Sequence, residues 1–184
     1  MIKQIRIQNY KALRDVTLDL TPIHVLIGPN DSGKTSIIEA IAALCRSVEG
    51  PLLDAFPRMW NGCDLVWQRR PDHHVAFNSA LEIQGQSVRY DLSVSFAPRG
   101  RESQVVHEEL EIYPPNANNF RYGGRRGETS VFRFSSREGP STNEKAASEF
   151  LSRSLQGMRS FRWDPRSLAF PVALGHPGER FQLD

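Results

Sequence analysis

Cysteine is nearly absent: Cys45 and Cys63 are the only two in 184 residues, and they stand at no metal-ligand spacing. That argues against a disulfide-stapled scaffold and against a cysteine-based zinc site, and it fits a reducing cytosol. Cys45 falls among helically spaced apolar residues and is expected to be a small core residue. No apolar stretch reaches the roughly 20 residues that a spanning helix needs. The N-terminus lacks the apolar segment of a signal peptide. A membrane partner is therefore not expected, and the expected location is cytoplasmic. A charge field of one sign is missing too: the formal net charge is only +2. Positive charge is local instead, at Arg69-Arg70 and at Arg121, Arg125, Arg126, Arg133 and Arg137. The composition is that of a soluble globular chain, long enough for one domain with a real core.

What is present is Gly28-Pro29-Asn30-Asp31-Ser32-Gly33-Lys34-Thr35. This is the pattern G-x-x-x-x-G-K-[ST] of the phosphate-binding loop, or Walker A motif. A nucleoside triphosphate carries several negative oxygens close together. Successive backbone N–H groups opening into a helix N-terminus supply donors and a favourable dipole. Gly28 and Gly33 allow close backbone approach, and Asp31 belongs to the residue types that tolerate left-handed backbone. Lys34 is expected to reach the β- and γ-phosphates of ATP, and the Thr35 hydroxyl to ligate Mg²⁺. The nucleotide-binding set is Gly28, Pro29, Asn30, Asp31, Ser32, Gly33, Lys34, Thr35 and Ser36. The flanks add weight. Ile23-His24-Val25-Leu26-Ile27 reads as a buried strand, and Ile37, Ile38, Ile41, Leu44 and Val48 recur at helical spacing.

Met1 to Asn9 alternates as a half-buried strand, and Val16 to Leu20 alternates again before Thr21-Pro22 breaks the pattern. Two phrases then carry a resemblance. Ile5-Arg6-Ile7-Gln8-Asn9-Tyr10-Lys11-Ala12-Leu13 and Val25 through Ile41, with the loop and Glu39-Ala40-Ile41, resemble the opening of RecF/SMC/OLD-like ATPases of the ABC type. In that branch a strand, an N-[FY]-[KR] phrase, a second strand and the Walker A loop lead into an E-A-I helix. Phe56 to Trp60 and Arg162-Trp163-Asp164-Pro165 are similar in style to bacterial AAA-type members of the branch. The resemblance implies an ATP-binding head lobe with Mg²⁺ and an antiparallel β-subdomain. It also implies head-to-head dimerisation and work in DNA repair, chromosome maintenance or phage defence. It places a basic residue, here Lys11, near the phosphates; a surface lysine in a turn is the plain alternative.

The rest of the chain fits a mixed α/β (α+β) class. After the strands, loop and helix of residues 1–48, Leu52 to Trp60 has room for a short helical turn, and Asn61-Gly62 is a turn. Trp60 and Trp67 are expected to plug a small core. Asp72-His73-His74 reads as a solvated loop after Pro71 rather than a metal site, since no further ligand is placed. Residues 75–135 read as an antiparallel β meander: Val75 to Ile83, a hairpin at Gly85-Gln86, then strictly alternating Val88, Tyr90, Leu92, Val94 and Phe96. Val106, Leu110 and Ile112 form the apolar face of the next strand, with Glu108 in register, and Val131 to Phe134 a further short strand. Asn116 to Thr129 has two readings. One is a loop touching nucleic-acid phosphates through Arg121, Arg125 and Arg126; the other is a hairpin tip with solvated arginines. Ser141 to Glu144 fits a capping box, opening an amphipathic helix over residues 141–158. Residues 159–184 read as an extended segment.

The hydrolytic parts are not found in the sequence. No run of four apolar residues ends in paired acids; Glu108-Glu109 after Val105-Val106-His107 is a poor match. Leu151-Ser152-Arg153-Ser154 is not the signature segment. The sequence is thus expected to be one incomplete head lobe, either a truncated piece or a split subunit. It is expected to bind a nucleotide weakly, or to hold an anion in its loop, and to need a C-terminal ATPase half or a second subunit for efficient hydrolysis. Two alternatives stay open: a non-catalytic nucleotide-binding subunit, and a DNA-binding module built on residues 121–137.

Overall fold

The computed structural model describes residues 1–57, 60–113, 120–122, 125–136 and 143–156. Its frame is a seven-stranded sheet: β1 (Ile2–Tyr10), β2 (Leu13–Asp19), β3 (Val75–Ile83), β4 (Gln86–Phe96), β5 (Ser103–Tyr113), β6 (Phe120–Tyr122) and β7 (Arg125–Arg126). The order is β2-β1-β3-β4-β5-β6, β7 also pairs with β5, and every pairing is antiparallel. The period of two decides the faces. Ile5, Ile7, Phe77, Tyr90, Leu92 and Val94 point to one side and are buried. The opposite side is polar, with Arg6 bonded to Asp15 and Arg89 to Asp91. The β3–β4 turn holds Gln84 at φ 51 and Gly85 at φ 79. Two residues of positive φ are what a tight hairpin requires.

Among the described residues there are four α-helices: α1 (Lys34–Ser47), α2 (Leu52–Ala55), α3 (Ser130–Ser136) and α4 (Asn143–Leu155). Ile37, Ala40, Leu44 and Val48 of α1 and its C-terminal cap join Ala147, Leu151 and Leu155 of α4 and the sheet's apolar face in one core. Cys45 lies in it, and burial pushes its thiol up to about 12. Trp60 is buried against Phe96, ring centroids 5.1 Å apart; Trp67 is half-buried and stacks on His73.

Three expectations need correction. Ile23–Ile27 is not a buried strand: it pairs with none of the described strands, and Ile23, Val25 and Ile27 are 85%, 70% and 91% exposed. A continuous apolar run becomes a strand only with pairing partners and cover on both faces. Here β1 already has β2 on one edge and β3 on the other. Val131–Phe134 is not a strand but lies in α3, because Thr129 Oγ1 and the Glu108 carboxylate take the first amides of a helical turn. The meander thus ends before residue 135. Val106 is on the solvent side and Val105 is buried instead. A register shift where Ser93–Val94 face β5 moves one residue across the sheet, as a bulge does. The amphipathic helix of 141–158 spans Asn143–Leu155; its expected cap, Ser141, and the 159–184 segment lie outside the described residues.

Candidate functional site

The loop from Gly28 to Thr35 opens directly into α1 at Lys34. Gly33 closes the helix from outside with φ 88, a left-handed conformation, and no side chain caps the end. The first amides of an α-helix have no partner within the helix. The Ile37 amide is the first satisfied in the helical manner, donating to Gly33 O at 2.9 Å. Asp31 is also left-handed, φ 64, as its residue type allows. Both glycine positions are tight, and at Gly33 the left-handed φ adds strain for any other residue. A Cβ on Gly33 would sit 3.0 Å from Leu13 Cδ2, and one on Gly28 would sit 3.0 Å from Ser32 Oγ. The β1–β2 turn is therefore seated against the loop.

A cleft of about 360 Å³ lies here, lined by Ala12, Asn30, Asp31, Gly33, Lys34, Thr35 and Ser36. Lys34 Nζ donates to Gly28 O at 2.8 Å, Pro29 O at 2.5 Å and Ser32 Oγ at 3.1 Å. The lysine thus folds back over its own loop. Uncapped amides, an ammonium and the hydroxyls of Ser32, Thr35 and Ser36 make a donor set for a polyanion. Mg²⁺ finds less. Thr35 offers one hydroxyl, and among the described residues no cluster of three His, Cys, Asp or Glu side chains forms a metal site. The donor set fits a cation carried largely by phosphate oxygens and water.

Lys11 is near the site but engaged. It sits at φ 48 in the β1–β2 turn, and Nζ pairs with Glu39 Oε2 of α1 at 2.5 Å. The pair ties the turn to α1 one helical turn beyond Lys34. Arg121, Arg125 and Arg126 are placed elsewhere. Their strands lie beside β5, where Arg121 faces Glu109 and Arg126 faces Gln104. That is the sheet edge opposite β2, four strand spacings from β1 or roughly 19 Å. The phosphate-loop residues are thus brought together, and the arginines are not brought to them.

Sequence reasoning gave Glu108 no role. It is fully buried on β5. Oε1 accepts from Tyr90 Oη at 3.0 Å and from the Val131 amide at 3.1 Å, and Oε2 accepts from the Ser130 amide at 2.5 Å. Burial first, then the Glu108 charge, pushes the Tyr90 phenol far up. The available signal was an acid at an inward strand position, which requires donors for its lone pairs. Beside it, Thr129 Oγ1 donates to Ser47 O at 2.7 Å and accepts from the Phe132 amide at 3.1 Å. This polar knot joins β5, α3 and the far end of α1.

Two likenesses to known proteins bear on this site. The family model described as "AAA ATPase domain" matches residues 1–96, just over half of the chain. The match spans β1, the loop, α1, β3 and β4. An OLD nuclease of Thermus scotoductus is 42% identical over 41 residues, which is 22% of this chain and 8% of that protein. The chain therefore spans a small fraction of that relative's length.

Proposed function

The chain belongs to the AAA ATPase domain family, and from that premise we propose that it is the ATP-binding N-terminal lobe of an ABC-type head, RecF/SMC/OLD-like. The observation that carries this reading is the open start of α1: left-handed Gly33, no side-chain cap, and Lys34 and Thr35 at the first two helical positions. Amides of the loop and the first helical turn receive phosphate oxygens. Lys34 leaves the carbonyls of Gly28 and Pro29 for the β- and γ-phosphates. Thr35 contributes its hydroxyl to Mg²⁺, which neutralises phosphate charge when bound. Lys11, held by Glu39, fixes the neighbouring turn and adds positive potential.

Hydrolysis needs a carboxylate pair and a γ-phosphate clamp that this sequence does not supply. The lobe captures nucleotide, and further polypeptide completes the site: a C-terminal half, a second subunit, or a head-to-head copy. The pathway we propose is DNA repair, chromosome maintenance or phage defence, in the cytoplasm. The test is titration with a fluorescent ATP analogue and Mg²⁺. Wild type saturates; Lys34→Ala binds on the order of 10- to 100-fold more weakly, the range for lost charge-assisted hydrogen bonds. Equal binding by both proteins would overturn the assignment. Salt-sensitive DNA binding that depends on Arg121, Arg125 and Arg126 but not Lys34 would favour the DNA-binding reading.

A further inference from the structure

We propose that Asp31 is a specificity-determining residue of the phosphate loop: its carboxylate turns away metal-free nucleotide and admits the magnesium complex. The inference rests on the nucleotide reading above and deepens it, because the loop's amides, hydroxyls and lysine alone would take either form.

The charges around the cleft carry the argument. Among its lining residues, Lys34 and Asp31 are the charged ones, so the lining is formally neutral. Further out, Lys11 and Glu39 cancel in their ion pair. The first turn of α1 holds no acid. Among the described residues, Asp31 is thus the carboxylate that the lining presents to a bound polyanion. The fold makes no use of that charge. Asp31 is exposed, and its carboxylate makes no ion pair or hydrogen bond with a described residue. Lys34 bonds to Gly28 O, Pro29 O and Ser32 Oγ rather than to it. An aspartate at a helix start commonly accepts from the first amides, but no side chain caps α1. The backbone of Asp31 stands at φ 64, which glycine adopts without steric cost. Glycine would serve the loop's shape, and what the aspartate adds is charge.

A divalent cation on the phosphate oxygens cancels much of their charge. The carboxylate therefore opposes the metal-free form more strongly than the magnesium complex. For charges a few ångströms apart near a surface, such a difference is worth on the order of tenfold in affinity. Salt screens it. Direct ligation of the cation would need the carboxylate fixed at one octahedral position. No hydrogen bond to a described residue holds it there, whereas repulsion acts across space from any rotamer.

The experiment titrates the full chain with the fluorescent ATP analogue, once with Mg²⁺ and once with EDTA, as wild type, Asp31→Asn and Asp31→Gly. Asparagine tolerates the same left-handed backbone, so it removes the charge alone. Glycine relieves the backbone as well, which keeps the test open should the first variant fold poorly. Asp31→Asn is expected to bind the metal-free analogue on the order of tenfold more tightly than wild type, and the magnesium complex within about threefold of it. Asp31→Gly is expected to behave alike, and the gain is expected to shrink as KCl is raised. Equal ratios of magnesium to metal-free affinity in wild type and both variants, with binding still lost in Lys34→Ala, overturn the role of Asp31 and leave the nucleotide reading standing. A gain that does not respond to salt overturns the charge account and points to loop shape. Loss of the magnesium complex in Asp31→Asn, with the metal-free arm unmoved, also overturns it and makes the carboxylate a cation ligand. Binding by no protein in either arm overturns the nucleotide reading, and the inference falls with it.

Discussion

At its C-terminal end α1 offers the carbonyls of Ser47 and Val48 to Thr129 Oγ1 at 2.7 Å and Ser152 Oγ at 3.3 Å. At its N-terminal end Gly33 makes no side-chain cap, and the loop before it is exposed from Gly28 to Ser32. Both ends of a helix have backbone groups without helical partners. One end is closed by buried hydroxyls, with the Glu108 carboxylate fixing the α3 turn that carries one of them. The other is left to water or to a ligand. The difference teaches where to look for chemistry. A helix end that the fold closes contributes stability; one that it leaves open is placed for binding.

Breaking the closed end should give the largest effect. Glu108→Ala leaves the Tyr90 hydroxyl and the Ser130 and Val131 amides unsatisfied in the interior. A cost of about 3–5 kcal/mol is expected, read as a fall in the urea midpoint, because each buried orphan costs about 1–3 kcal/mol. Glu108→Gln keeps one acceptor oxygen and should cost less. At the open end, Lys34→Ala should leave the urea midpoint within about 0.5 kcal/mol of wild type, since its partners are exposed loop atoms. A large stability loss in Lys34→Ala would erase the contrast.

Thr129→Val sharpens the comparison at smaller scale. It removes the cap on α3 and the bond to Ser47 O, for about 1–2 kcal/mol by thermal melting, with nucleotide affinity of the folded protein unchanged. The smallest effect concerns pH. Hydrogen bonding from Arg6 holds the Asp15 carboxyl below its usual range. A carboxyl lowered in the folded state contributes stability that is present above its ordinary value, roughly 3.9, and lost as pH falls through the lowered one. The pair is solvent-exposed, so Asp15→Asn should only slightly flatten the acid-side fall of the melting temperature. A pronounced change would mean that this surface pair, rather than the buried knot, dominates the polar contribution.

Local pattern carried much of the fold. The alternation in β1, β2 and β4 and the helical spacing of α1 and α4 are decided within a few residues, and the structure agrees; the hairpin expected at Gly85-Gln86 turns one residue earlier, at Gln84-Gly85. The loop was legible for the same reason, as its glycines and lysine sit at fixed offsets. What failed depended on distant atoms. Val131-Phe132-Arg133-Phe134 is as strand-like as many strands, but a glutamate more than 20 residues earlier turns it helical. Val106 lost its inward position to a bulge in β5, where it is the extra residue between His107 and Val105, the partners of Ser93 and Val94. Ile23–Ile27 has the composition of a buried strand, but none of the described strands pairs with it. Glu108 was visible as an anomaly, yet its donors lie on β4 and α3, which no spacing within β5 reveals.

Amide hydrogen exchange with and without ATP and Mg²⁺ tests the contrast between the two ends most directly. The amides of Gly33 to Ser36 are expected to exchange quickly in the free protein and to slow on adding nucleotide. Ser130 and Val131, bonded to Glu108, are expected to be protected in both states. Protection at residues 33–36 that does not respond to nucleotide, with the response falling on other amides, would contradict the open-end assignment.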